Sequence, residues 1–430
     1  MLNTNWRFRC VTGALLATLT FVCSYAHAQA GRHFPSEKQA LIDRVTGRPL
    51  TVLTSGAFND SKIYPTHPQW AADGVHILFR STGRTPDGLA QIFAVNEITG
   101  RITQVSEGEG VDAGSINVAR LSNKLYYLRR GQAEVPANLI EVDLTLLLAD
   151  SRTPEDKFER VVGALPKGFI SAGGFTLDAD EKSAYFGFDQ QRAPPRERGQ
   201  PVPQVPGGLL AMNLPDGRTR TVLEVPFRMG HVQANPIKPG EILYCHETGG
   251  DAPQRMWIVN SDGTNNRAVF PEHDDDWVTH EQFAGADHVI FNLMGHTAKL
   301  RQRPTGIMVV NIRDGTVENL GQPDSYYNSN KPERYSDPNI PSEARPGGFW
   351  HNAVTYDRLY AAADDFDGNV HLINRKTGGR TLLSTGHRMR PDHAHPSFSP
   401  DGSRLLIQSG ILTDGERLSL MIIPAHVERR

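Results

Sequence analysis

A pair of short apolar strands joined by a turn recurs seven times along this chain, and a repeat of that kind constrains architecture before any single residue is weighed. The units open at PQWAADGVHILF (68–79), INVARLSNKLYYL (116–128), GFTLDADEKSAYFGF, ANPIKPGEILYC, EQFAGADHVIFNL, NAVTYDRLYAAA and PSFSPDGSRLLIQS. Most run on into a third apolar stretch that turns tightly into a fourth, as in QIFAVNEITGRITQVS, LLAMNLPDGRTRTVL and VHLINRKTGGRTLLS. Four short strands per unit, punctuated by Asp-Gly and Thr-Gly turns, describe a propeller blade. The pattern therefore predicts an all-β, seven-bladed β-propeller, with a pair of β-sandwiches as the competing architecture. The last unit ends at LSLMIIPA without a fourth strand, while ALIDRVTGRPLTVLTS (40–55) has the form of a blade's outer portion. A strand from the N-terminal region is thus expected to close the ring and remove its exposed edge.

The first 28 residues read differently. A basic start, an apolar stretch and Ala26-His27-Ala28 form a signal peptide with cleavage expected after Ala28, which sends the protein to the periplasm or outside the cell. The propeller then occupies 29–430, about 57 residues per blade, somewhat above the ~40–50 of common blades. No other apolar run approaches the ~20 residues a membrane span needs, so no membrane association is expected after cleavage. The formal net charge of −3 becomes −5 once Arg7 and Arg9 leave, and no global basic field remains to hold nucleic acid. Cys10 and Cys23 depart with the leader, leaving Cys245 with no partner for an intrachain disulfide.

Aligning the innermost strands on their apolar anchors exposes the feature that points to function. Three residues before the anchor stand His67, Ser115, Ala172, His231, His280, His351 and His395. Inner strands of a propeller begin at one mouth of the central channel, so five imidazoles are expected to meet there. His393 adds a sixth, because residues i and i+2 of an extended strand face the same way. Two nitrogens from one strand and a third from a nearby blade make a cradle for a divalent first-row cation. His246, His273, His288, His371 and His426 fall elsewhere in the blade pattern and read as structural or surface residues.

The long connections leave from the same side, at 190–208, 294–306 and 320–348, whereas the far side carries short turns. The first two loops hold Arg192, Arg196, Arg198, Lys299, Arg301 and Arg303 against Glu197 alone. Such a positive rim suits an anionic ligand.

From about residue 229 onward the sequence resembles the oligogalacturonate lyase family, seven-bladed propellers that cleave short pectin fragments. The stretches that carry the resemblance are GHVQANP, YCHE, RMWIVNSDGTNNR, THEQF and HAHPSFSPDG. The resemblance implies manganese ligands at His280, His393 and His395 and a general base at His231. It also implies two departures. The family's glutamine ligand corresponds to Arg390, a poor metal ligand that could instead bind the substrate carboxylate. The family's catalytic arginine has no counterpart, its place falling on Gly208, with Arg228 or Arg390 as stand-ins.

The residue types suit β-elimination of a 4-linked uronide. The C5 proton lies alpha to a carboxylate and is very weakly acidic until charge at that carboxylate is neutralised by a cation or an arginine. A neutral imidazole can then take the proton near pH 7. The expected protein is an exported, metal-assisted lyase for short oligogalacturonides, with His231 as base, His280, His393 and His395 on the metal, and His67, His351 and Arg390 on the sugar acid. Manganese is the expected ion, although three imidazoles also accept Zn, Ni, Co or Fe. A lyase for another uronic acid, or a non-catalytic periplasmic propeller that binds a ligand, would share much of this pattern.

Overall fold

The computed structural model describes residues 29–131, 135–149, 155–195, 203–248, 252–273, 276–294, 306–320, 348–388 and 391–425. Residues 1–28, Arg390, and the basic loop residues Arg196, Arg198, Lys299, Arg301 and Arg303 lie outside them.

Seven antiparallel sheets follow one another along the chain, each starting with the strand nearest the axis. The innermost strands are Asn59–Lys62, Val111–Val118, Ile170–Leu177, Met229–Ala234, Trp277–Phe283, Phe349–Val354 and Ser397–Phe398, which number the blades 1 to 7. The second and third strands of each blade are sandwiched between neighbouring blades and so are apolar on both faces. Ile92 to Val95 of blade 1, for example, are buried without interruption. The core accordingly lies between blades: Trp70, Ile77, Phe79 and Phe93 of blade 1 pack with Leu406, Leu420 and Ile422 of blade 7. This is the seven-bladed β-propeller that the repeat predicts.

The third-to-fourth strand turns share one construction. Gly100, Gly217, Gly315 and Gly378 have φ of 76, 70, 77 and 71°, a region that glycine enters without penalty. Each donates its N–H to the carbonyl of an asparagine four residues earlier, Asn96, Asn213, Asn311 or Asn374, at 2.7–2.8 Å. The Thr-Gly and Asp-Gly dipeptides visible in the sequence mark these turns.

Closure follows the expected route. Gln39–Ile42 and Pro49–Val52 form the outer strands of blade 7, with Thr51 opposite Ile422 and Val52 opposite Met421. In addition, His33–Phe34 adds a fifth strand to blade 1.

Blade 1 departs from the expected register. Its inner strand is Asn59–Lys62, paired with Phe79–Thr82, and the ladder resumes only at the Trp70–Ile77 bridge. The intervening segment holds Pro65 and Pro68, which supply no N–H to a ladder, so the chain leaves the sheet there. His67 is carried out of the shared register, and Tyr64 occupies the place expected for a blade 1 histidine.

Candidate active site

Most of the inner strands are interrupted at the same point. Pairing with the second strand skips between Gly230 and Gln233, Thr279 and Gln282, Phe349 and His351, Ser171 and Phe175, and Asp112 and Asn117. Such a bulge re-aims side chains. In blades 4 and 5 it is accompanied by a histidine in the left-handed region, with φ of 46° at His231 and 55° at His280, and His395, just before the blade 7 inner strand, has φ of 49°. Histidine is among the few side chains found there, and the conformation costs about 1–3 kcal/mol per residue. Three such residues at matching places in three blades identify a site that the fold maintains at a cost.

The imidazoles do converge. Ring centroids lie 4.2 Å apart for His280 and His351, 3.8 Å for His351 and His395, and 5.2 Å for His351 and His393. Trp350 lies 4.7 Å from His280 and 5.4 Å from His393. These rings, with Lys62, Tyr64, Arg80 and Asp392, line a cavity of about 480 Å³, within the range of small-molecule sites.

Burial sets the protonation state. It pushes the pKa of His280, His351 and His395 well below the ordinary imidazole value, the neighbouring imidazoles adding to the shift for each, and burial lowers His393 as well. Neutral imidazole is the form that binds metals. The buried Nδ1 atoms of His280 and His393 have no hydrogen-bond partner, an unusual state for buried polar atoms that a cation would relieve. Asp364, 1% exposed, organises the centre: it accepts from the backbone N–H groups of His351 at 2.6 Å and His395 at 3.1 Å, and its Oδ2 lies 3.3 Å from His351 Nδ1. This contact turns His351 Nε2 away from the carboxylate. Donor atoms of His351, His393 and Asp364 lie within 4.8 Å of one another, a spacing that suits a shared ion.

His231 borders this cluster across Tyr64, whose ring lies 5.6 Å from His231 and 5.5 Å from His395. Burial, then Glu281, raises the Tyr64 phenol above its ordinary value, so it stays protonated. Behind His231, Nδ1 stands 3.1 Å from Glu281 Oε1, and Glu281 Oε2 accepts from Arg255 Nε at 2.8 Å. Burial works to raise the Glu281 pKa, but Arg255 and His231 together hold it well below the carboxylate range. His231, Cys245 and Glu281 also offer three donor atoms within 4.8 Å. Arg255 already supplies the positive charge there, so the geometry favours an imidazole–carboxylate–guanidinium chain over a second metal site.

His231, His280, His351, His393 and His395 are thus brought together. His67 is not: it lies toward the opposite mouth, against a cavity of about 380 Å³ lined by Trp70, Phe283, Val354 and Phe398. That is the mouth with the short turns, and the expected place of His67 beside the other histidines is corrected accordingly. Arg390 falls outside the described residues. Gly208 can hold no side chain, because a Cβ there would meet the Phe188 ring at 2.5 Å and the Leu223 carbonyl oxygen at 2.6 Å. Arg228 sits with its Nε 3.4 Å from Asp189 Oδ2. Sequence reasoning missed Tyr64, Lys62, Trp350, Asp364, Glu281 and Arg255. Asp364 was accessible from hairpin counting, since it pairs directly with His351, and Glu281 sits in the THE motif itself.

No family model matches the chain. Two curated proteins are similar along nearly its whole length: the oligogalacturonide lyase of Pectobacterium atrosepticum, 22% identical over 92% of this chain and 99% of that protein, and the oligogalacturonate lyase of Dickeya dadantii, 23% identical over 90% and 96%. Among solved structures, an oligogalacturonate lyase in complex with manganese superposes with a TM-score of 0.70 at 21% identity, covering 92% of this chain and 97% of that one. The resemblance carried by the second half of the sequence therefore extends to the first, and the chain is similar to oligogalacturonate lyases along nearly its whole length.

Proposed function

We propose that this protein is a metal-assisted lyase that cleaves short oligogalacturonides by β-elimination. The observation that carries the reading is the convergence of His280, His351, His393 and His395 on one cavity, with a carboxylate-backed His231 at its edge. Neutral imidazoles and orphaned ring nitrogens fit a divalent cation. His280, His393 and His395 would hold it, and His351, steadied by Asp364, stands among them as a further donor in the role that Arg390 cannot fill. Manganese is the proposed ion, in line with the similar lyase solved with that metal. Bound at the uronate carboxylate, such a cation neutralises the charge that develops when the C5 proton leaves.

The chain's own residues account for the rest. Glu281 stands 3.1 Å from His231 Nδ1, Nε2 is proposed as the proton acceptor although Glu247 Oε2 lies 3.7 Å from it, and the ionised Glu281 carboxylate stabilises the imidazolium that forms. Arg255 keeps that carboxylate ionised and in place. The electron pair of the C5–H bond becomes the C4–C5 double bond, the C4–O4 bond breaks, and the leaving oxygen takes its electrons and is protonated. Trp350 offers a flat apolar wall for a sugar ring.

Incubation of the purified protein with digalacturonate and trigalacturonate, with and without chelator, tests the reading. It predicts a metal-dependent, ultraviolet-absorbing unsaturated product. His280→Ala should lose both metal and product, and product formation that survives complete chelation would overturn the metal's role. The arginine-free Gly208 position favours one second reading, a related uronic acid as substrate, which a panel of glucuronate-containing oligosaccharides would distinguish. Export through the leader at 1–28 belongs to the same proposal, and the N-terminus of the mature protein, expected at Gln29, checks it.

A further inference from the structure

An oligouronide carries one carboxylate per sugar, so a site that handles the carboxylate at the reacting unit still has to meet its neighbour. The cavity of the histidine cluster does not end at the channel. It shares Arg80, Ala113 and Gly114 with a second cavity of about 580 Å³ that opens between blades 1 and 2 and reaches Arg130. The two form one trench, floored by small residues and bordered by Arg80 and Arg130, with Asp112 and Asp392 also on its wall.

Arg80 stands where the two cavities meet. Its Nε donates to Ser61 Oγ at 2.8 Å, which fixes the plane of the guanidinium while leaving its Nη edge in the trench. It forms no ion pair among the described residues, unlike Arg228, which faces Asp189, and Arg130, whose Nη2 lies 2.8 Å from Asp112 Oδ2. Lys62, 2% exposed, adds an amine to the same wall, its Nζ held by Ser397 Oγ at 2.9 Å and the Ile63 carbonyl at 3.0 Å, and burial holds its pKa well below the ordinary lysine value. Asp364 and Asp392 act on Lys62 electrostatically, against burial and the charge of Arg80. A Cβ at Gly114 would stand 3.3 Å from Asp112 Oδ1 and 3.6 Å from Arg80 Nη1, so both side chains border the trench at this glycine.

Resting on the lyase reading above, we infer that Arg80 is the carboxylate clamp for the uronate next to the one at the histidine cluster, and that the trench between blades 1 and 2 is the path of the oligosaccharide. A planar guanidinium with one edge anchored and the other free matches a carboxylate bidentately, which a lysine does not. The clamp also places an arginine at the substrate in a protein whose Gly208 admits none.

Calorimetric titration of galacturonate and digalacturonate into His231→Ala, which binds without turning over, compares this parent with His231→Ala/Arg80→Leu. A charge-assisted pair of this kind is worth ~1.5–3 kcal/mol, so digalacturonate should bind roughly 10- to 100-fold more weakly to the double variant, with galacturonate changed less than twofold. Arg80→Lys should recover only part of the loss, and unchanged thermal melting confirms that the fold is intact. Digalacturonate affinity within twofold of the parent, equal weakening of both sugars, or no binding to the parent at all would overturn the clamp. Wild-type protein that binds digalacturonate through Arg80 but yields no unsaturated product would overturn the lyase reading and leave the clamp standing.

Discussion

Blades 4 to 7 and blades 2 and 3 face each other across one channel, and in blades 2 to 6 the inner-strand pairing is interrupted near that mouth, yet the two sides put opposite things there. One side presents His231 and His280 at the interruption, His351 just after it and His395 at the start of the blade 7 strand. The other presents Gly114 and Ser115, whose hydroxyl turns back to accept from Leu128 N at 2.8 Å, and Gly173 and Gly174 with φ of 69 and 76°. The same backbone device thus supplies chemistry on one side and room on the other. A repeat protein can divide a site in this way because each blade keeps the scaffold while its bulge residue varies freely.

Four substitutions probe that division. His231→Ala should have the largest effect, a 10²- to 10⁴-fold fall in kcat for product formation with metal content unchanged, since a positioned general base contributes about that much. Full activity in this variant would remove the base from the histidine side.

A histidine outside the arc should show a structural signature instead. His387 is 4% exposed, hydrogen-bonded to Ser384 and Ser409, and pushed down to about 4 by burial. Its folded pKa lies below the unfolded value of about 6.5, so the unfolded chain takes up the proton first and stability falls as pH drops from 6.5 toward 4. The loss approaches about 3 kcal/mol for this residue. Thermal melts of His387→Asn should show a shallower decline over that window, and an identical slope would contradict the assignment.

Gly173→Ala tests the open side. A Cβ there would meet Gly230 Cα at 2.7 Å, in the strand that positions His231, and φ is 69°. A destabilisation of about 2 kcal/mol in denaturant titration, with reduced activity, is expected. The smallest effect belongs to His67→Ala. Because His67 lies toward the other mouth, its kcat/KM should stay within twofold of wild type, and a large loss would restore the register read from sequence.

The propeller, its closure and most of the histidine cluster were legible because they depend on periodicity, which survives in a single sequence. The blade 1 error arose where periodicity fails. Pro65 and Pro68 lengthen the bulge, so counting back from Trp70 reached His67 when the channel holds Tyr64. The roles of Glu281, Asp364 and Arg255 were harder to read for a different reason, although hairpin counting places Asp364 opposite His351 and Glu281 follows His280 directly. These residues come from neighbouring strands and blades, and their carboxylates and guanidinium gain meaning only through burial against His231 and His351. Spacing can place such residues, but only the packed structure shows which side chain each one acts through.

Anomalous diffraction at the manganese edge from crystals of the protein loaded with that metal addresses the central claim most directly. The account predicts one strong peak enclosed by His280, His351, His393 and His395, within bonding distance of nitrogens from at least two blades. A peak elsewhere, or fully loaded crystals with none at this cavity, would contradict it.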